Sequence, residues 1–221
     1  MEDFESKDLK NVKNARTGTV MKKNALGENA PIIITTLSRY EHLKRCIESL
    51  KNCTLSEETE LYIGVDHPYR ADHTEGNNQI IEYLENLSGF KKIIVVKHPN
   101  NMGSERNFLY MRDLVYEKYD YYIATEDDNE FAPDFLDFMN KALSAYKDDP
   151  HVLAVSGYRY PFETGMAQKS NCVFRLNTYF SGFGYGIWKE KEMAMRKALT
   201  LDRFKGYYND GSRMIGLSIN A

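Results

Sequence analysis

Between residues 31 and 156 the chain alternates short β-branched or aliphatic runs with longer segments whose apolar positions recur every three or four residues. Pro31-Ile32-Ile33-Ile34-Thr35-Thr36 is the first run, and its unbroken apolar character predicts a strand buried on both faces. Ser38-Arg39-Tyr40-Glu41 fits a Ser-x-x-Glu capping box, which predicts a helix start there. Tyr40, Leu43, Cys46, Ile47 and Leu50 then keep helical spacing. The alternation continues with Leu61–Val65 as a strand, 77–87 as a helix carrying Ile80, Ile81, Leu84 and Leu87, and Ile93–Lys97 as a strand. Ser104–Lys118 reads as a helix with Phe108, Met111 and Val115 on one side, and Tyr121–Thr125 as the fourth strand. Pro133 and Asp134 suit the first turn of a helix that runs to about Tyr146, and Val152–Ser156 is the fifth strand.

Strands separated by helices of this length predict an α/β fold: a mostly parallel sheet, helices on both faces, right-handed crossovers. Residues 1–29 show no sustained apolar period and read as a polar, mobile arm; residues 30–221 read as one domain. Ligands of such sheets bind outside the carboxyl ends of the strands. Those ends read Thr35-Thr36, Asp66-His67, His98-Pro99-Asn100-Asn101 and Glu126-Asp127-Asp128, so hydroxyls, amides and acids gather on one edge.

Composition narrows the field. A length of 221 residues suits one compact domain, and a net charge of -3 with pI near 6.0 argues against a general nucleic-acid binder. No stretch approaches the roughly 18 consecutive apolar residues of a membrane span, and the acidic start, MEDFESKDLKN, is unlike a signal peptide. Cys46, Cys53 and Cys172 form neither a disulfide framework nor a zinc spacing; they fit small core residues in a reducing, cytoplasmic setting.

The acids at 126–128 carry the chemistry. Adjacent carboxylates repel by about 4 kcal/mol per pair at 4 Å and an effective dielectric near 20. A divalent cation relieves that repulsion, and oxygen-only ligands suit Mg2+ or Mn2+ shared with substrate phosphates. The plain alternative is a solvated turn before a helix. Asp66 offers acceptors to a base or ribose, and Asn100-Asn101-Met102-Gly103 leads into a helix with Arg106 and Asn107 in its first turn, a plausible phosphate neighbour. The chain has no Gly-x-x-x-x-Gly-Lys-Ser/Thr, and no Gly-x-Gly-x-x-Gly between the first strand and helix, so P-loop and dinucleotide readings lose weight.

Taken together, the Thr35-Thr36 strand end, Asp66, Asn101-x-Gly103-x-x-Arg106-Asn107 and the acidic strand end resemble the GT-A glycosyltransferases, notably family 2. Glu126-Asp127-Asp128-Asn129-Glu130-Phe131-Ala132-Pro133-Asp134-Phe135 is more specific and resembles the N-acetylglucosaminyltransferase I family. Phe174-Arg175, the segment Phe180-Ser181-Gly182-Phe183-Gly184-Tyr185-Gly186, and Trp188 are similar to that family's aromatic Gly-rich stretch. The resemblance covers about residues 31–213. It implies a Rossmann-like nucleotide-diphospho-sugar transferase fold and inverting transfer of a sugar from a UDP-sugar to a hydroxyl of a glycan or related acceptor. It further implies that Asp128 holds Mn2+ or Mg2+ against the donor diphosphate, that Asp127 and Glu126 face ribose or donor-sugar hydroxyls, and that Asp66 holds the uracil. Thr35, Thr36 and Arg39 would line the nucleotide pocket, with Arg106 and Asn107 in the helix facing it.

An inverting transfer needs a base within about 3 Å of the attacking hydroxyl. Asn209-Asp210-Gly211 resembles the family's acidic segment, making Asp210 the candidate; the same triplet is also an ordinary turn. Gly182, Phe183, Gly184, Tyr185 and Trp188 are candidates for the floor of the donor-sugar or acceptor pocket, or else a tight turn into the core. His67, His98 and His151 show no metal spacing. Two other functions stay open: a sugar nucleotidyltransferase, which would usually carry a Gly-rich, lysine-containing signature near the first strand, and a nucleotide-sugar or glycan-binding module without turnover. The short stretch after Asp210 is compatible with a domain truncated on its acceptor side.

Overall fold

The computed structural model describes residues 27–158, Val173 and residues 180–198. Its strands are β1 (Ile32–Thr36), β2 (Glu60–Val65), β3 (Lys92–Lys97), β4 (Tyr121–Glu126), β5 (Ala154–Ser156) and β6 (Tyr185–Trp188). The helices are α1 (Tyr40–Lys51), α2 (Thr74–Glu85), α3 (Ser104–Tyr116), α4 (Phe135–Tyr146) and α5 (Lys189–Ala198). The six strands form one sheet in the order β3-β2-β1-β4-β6-β5. β3, β2, β1 and β4 run parallel, and β6 is antiparallel to both β4 and β5.

The strand runs earn their burial by facing two cores. On one side Ile32, Ile34, Leu61, Ile63 and Ile123 meet the apolar stripes of α1, α2 and α4. On the other, Ile33, Tyr62, Tyr122, Ala124 and Ile187 meet Met111, Val115 and Tyr116 of α3. The α/β expectation, a mostly parallel sheet covered on both faces, therefore holds. A uniform hand of crossover does not: α4 shares the face of α1 and α2 although the strand order beyond β4 runs the opposite way. The β4–β5 and β1–β2 connections consequently differ in hand.

Two further features differ from expectation. α1 begins at Tyr40 with Arg39 at its N-cap and no side-chain cap, so the Ser38 capping box is not formed. The Ser38 carbonyl is instead packed against Gly76, where a Cβ would lie 2.0 Å from it. β6 and α5 were not anticipated. α5 is pinned under the sheet by Glu192, whose buried carboxylate accepts bonds from Tyr116 and Tyr122 hydroxyls and from Arg112 and Arg196. Cys46 and Cys53 are free and buried, as core residues would be; Cys172 lies outside the described residues, as does the arm up to residue 26. Among the described residues no helix is long and apolar enough to cross a membrane.

Candidate active site

The parallel pairing of β1 with β4 sets Thr35 opposite Glu126, which brings the next residues, Thr36 and Asp127, side by side at the sheet edge. There the Thr36 hydroxyl donates to Asp127 Oδ2 at 2.7 Å. Arg39 is two residues beyond the sequence Thr36-Leu37 turn and reaches back over the same rim. Its Nη2 donates to Asp127 Oδ1, and its Nη1 donates to Asp128 Oδ2 at 2.9 Å. One guanidinium thus bridges two adjacent carboxylates across 88 and 89 positions of chain. Asp127 is only 3% exposed, and both of its oxygens are engaged. The Asp128 side chain is 34% exposed and the Arg39 side chain 51%. Glu126 is exposed, and Thr35 is half-buried.

The charges at this rim answer one another. Burial alone would lower the Arg39 pKa, but Asp127 and Asp128 outweigh it and hold the guanidinium above its ordinary value. Beneath them the Cys46 thiol is pushed far up, first by burial and then by Asp127, Asp128 and Glu130, so it stays protonated. Its Sγ–H donates to the Glu126 carbonyl at 3.6 Å. Asn129 donates to Thr125 Oγ1 at 2.9 Å and folds the turn after β4.

Asp66 is held by its own chain at the end of β2. It is 5% exposed, and its Oδ1 accepts from the backbone N–H groups of His67 at 2.9 Å and Met102 at 2.8 Å. Its Oδ2 accepts from Gly103 N–H at 2.9 Å and Asn101 Nδ2 at 3.1 Å. A carboxylate offers about four lone-pair positions, so its capacity is taken up by its own chain. Asp66 is a brace for the 101–103 loop. An open hollow of about 550 Å³ borders it, lined in part by Tyr69, Asn78, Lys97 and His98.

Asn107 is likewise a brace and not a ligand-facing group. It is 1% exposed, donates to the Gly64 carbonyl at 2.9 Å and pairs with His98 Nε2 at 3.0 Å. Arg106, in the first turn of α3, is exposed. Asn77, missed in the sequence, donates to the carbonyls of Leu37 at 2.6 Å and Asp66 at 3.0 Å, tying the ends of β1 and β2 together. A buried polar residue in line with Ile80 and Leu84 on the α2 stripe was the available signal.

The aromatic Gly-rich stretch divides. Phe183 and Asp128 line one hollow of about 460 Å³ with Phe131, Phe135 and Tyr158. Gly184 adopts φ +71°, and a Cβ there would lie 2.9 Å from Phe131, so this turn requires glycine. Gly182 stands in open space. Tyr185 and Trp188, however, are part of β6. Tyr185 pairs with Ala124 and packs edge-on against Tyr122, whereas Trp188, 4% exposed, pairs with Tyr121. Tyr121 opens β4 and Glu126 ends it, which separates Trp188 from the acids by roughly 17 Å at about 3.3 Å per residue. Trp188 is a core residue and does not floor this pocket. Asp210 lies outside the described residues, as do Phe174 and Arg175.

Among the described residues no three His, Cys, Asp or Glu side chains converge to cage a metal. A hard cation sharing its coordination with phosphate and water needs only one or two carboxylates. Half-exposed Asp128 beside buried Asp127 meets that need, and the rim already accommodates the positive charge of Arg39.

A profile of the GNT-I family matches residues 3–213. Among characterised proteins, an alpha-1,3-mannosyl-glycoprotein 2-beta-N-acetylglucosaminyltransferase of Arabidopsis thaliana is 24% identical over 200 residues, covering 84% of this chain and 42% of that protein. Among solved structures, a mannosyltransferase from Pyrobaculum calidifontis in complex with GDP-Man and Mn2+ superposes with a TM-score of 0.55 at 13% identity, over 85% of this chain and 52% of that one. The chain thus spans about half or less of these relatives, and the structural likeness identifies its fold as GT-A.

Proposed function

Because the chain belongs to the GNT-I family, we propose that it is a metal-dependent inverting glycosyltransferase that moves a hexose or N-acetylhexosamine from a UDP-sugar to a hydroxyl of a glycan acceptor. The observation that carries this reading is the rim at the ends of β1 and β4, where Thr36 and Arg39 hold Asp127 and set Asp128 beside it, half-exposed.

In this reading Asp128 holds Mn2+ or Mg2+. When bound, the ion supplies Lewis-acid stabilisation of the charge gathering on the departing diphosphate. The other steps belong to the chain. Asp127, anchored by Thr36, fixes the carboxylate edge, exposed Glu126 meets ribose or donor-sugar hydroxyls, and half-buried Thr35 lines the nucleotide pocket. Arg106 and the start of α3 serve the phosphates. The nucleoside lies toward the hollow beside Asp66, whose carboxylate keeps the 101–103 loop in place. The donor sugar lies toward the hollow shared by Asp128 and Phe183, where aromatic faces cover sugar C–H surface. Asp210 takes the proton from the acceptor hydroxyl as its oxygen attacks the anomeric carbon.

The test is UDP release from UDP-GlcNAc, UDP-Glc and UDP-Gal with manganese and a panel of glycan acceptors. Turnover with one donor, lost in Asp128→Ala and in Asp210→Asn, supports the assignment. Full turnover in Asp210→Asn removes Asp210 as the base. UDP binding without turnover on any donor marks a binding module, and preference for UTP with a sugar phosphate marks a nucleotidyltransferase.

A further inference from the structure

The Arg39 bridge has a consequence for how the rim is loaded. Its two donors occupy an oxygen of Asp128, the acid proposed to hold the divalent ion, and an oxygen of its neighbour Asp127. Each bond is charge-assisted, and the planar guanidinium spans both acids as a single ammonium could not. The backbone of Arg39 is fixed at the N-cap of α1, where its carbonyl accepts from Leu43 N–H at 3.0 Å. The side chain is not fixed by packing, being half-exposed. It can therefore leave the rim without disturbing the helix. Arg45 stands 3.7 Å from Glu130 of the same turn.

We propose that Arg39 is an internal latch: its guanidinium stands in for the metal in the ligand-free protein and must be displaced when the ion arrives. The proposal rests on the metal-dependent reading above. Displacement opposes binding of the ion alone. A nucleoside diphosphate reverses the balance, because its phosphates offer the released guanidinium a replacement anion. Metal and nucleotide then favour one another reciprocally, as linkage requires. The latch also keeps the acidic rim neutralised whenever the site is empty.

The experiment measures Mn2+ binding to wild type, Arg39→Met and Arg39→Lys by loss of the free-ion paramagnetic resonance signal, first with MnCl2 alone and then with saturating UDP. Circular dichroism and thermal melting establish that each variant is folded. Removing two charge-assisted bonds should raise the affinity of Arg39→Met for manganese alone on the order of tenfold. The gain in manganese affinity on adding UDP should shrink by a similar factor. Arg39→Lys, which keeps the charge and loses the fork, should fall between. Manganese binding that is unchanged or weaker in folded Arg39→Met, with wild type binding measurably, overturns the latch and leaves the proposed function standing. No manganese binding by any of the three proteins, even with UDP, overturns the metal-dependent reading and the latch with it. Should Arg39→Met fail to fold, Arg39→Lys decides alone: equal affinity and equal coupling to wild type refute the proposal.

Discussion

Replacing Asp66 by Asn separates a brace from a base-reading residue. Asparagine keeps the shape of the side chain, so no cavity is made. With its oxygen in the Oδ1 position it continues to accept from the N–H groups of His67 and Met102. Its NH2 then faces Gly103 N–H and Asn101 Nδ2, at positions now 2.9 and 3.1 Å from Oδ2, and donor meets donor twice. Hydrogen bonds to a charged group contribute about 1.5–3 kcal/mol each, so losing two of them beside a 5% exposed group should cost about 3–6 kcal/mol. That is a large share of the roughly 5–15 kcal/mol typical of a whole domain. At about 2–4 °C per kcal/mol for a domain of this size, the melting temperature should drop by roughly 6–24 °C. Urea unfolding measures the loss, and hydrogen exchange should show faster exchange at the Met102 and Gly103 amides. Stability within about 0.5 kcal/mol of wild type, with both amides equally protected, would refute the brace and return Asp66 to the ligand.

Burial would raise the Glu192 pKa, but bonds from Tyr116, Arg196 and Tyr122 and the charge of Arg112 hold it below the ordinary value. A depressed folded pKa gives stability that is present above the unfolded value near 4.3 and lost as pH falls through the folded one. Glu192→Gln should therefore be less stable than wild type at pH 7, with a shallower loss on acidification below about pH 5; parallel curves of stability against pH would contradict this. Gly157→Ala sets a Cβ 2.4 Å from Phe135 Cε2, forcing that ring toward the Asp128 hollow. It should cost about 1–3 kcal/mol by chemical denaturation, and an unchanged midpoint would show that Phe135 yields freely.

Much of this molecule was legible because its strands are continuous β-branched runs. A segment such as Ile32-Ile33-Ile34 can satisfy its apolar surface only between two layers, and that fixes both the sheet and the edge where its loops end. The acids at 126–128 were visible for the same reason, as charges following a buried strand. β6 was hidden because Tyr185-Gly186-Ile187-Trp188 is a four-residue run broken by glycine, with Ile187 its single β-branched residue. Its glycine is a packing device: a Cβ at Gly186 would lie 3.0 Å from Leu143 of α4. Ser38 carried a plausible cap, but its approach to α2 through Gly76 is a tertiary contact that no local motif contains.

The site residues show a second limit. Asp66 and Asn107 were selected as polar groups at the mouth of the sheet, and they are at the mouth. Whether such a group faces a ligand or its own chain depends on how many of its bonds are already used, and four of those partners lie 35–43 positions away. Arg39 and the acids it bridges are farther apart still. Trp188 was judged by its type, whereas its register opposite Tyr121 sends it to the other end of the strand.

If Asp128 holds a divalent ion against a nucleoside diphosphate, as proposed, nucleotide binding must depend on both the ion and this carboxylate. Calorimetric titration of UDP into wild type and Asp128→Ala, with MnCl2 and again with EDTA, tests it most directly. Binding should require manganese and be weakened at least about tenfold in Asp128→Ala, whose partly exposed side chain can be removed without unfolding the domain. Equal UDP affinity in both proteins, with or without manganese, would contradict it.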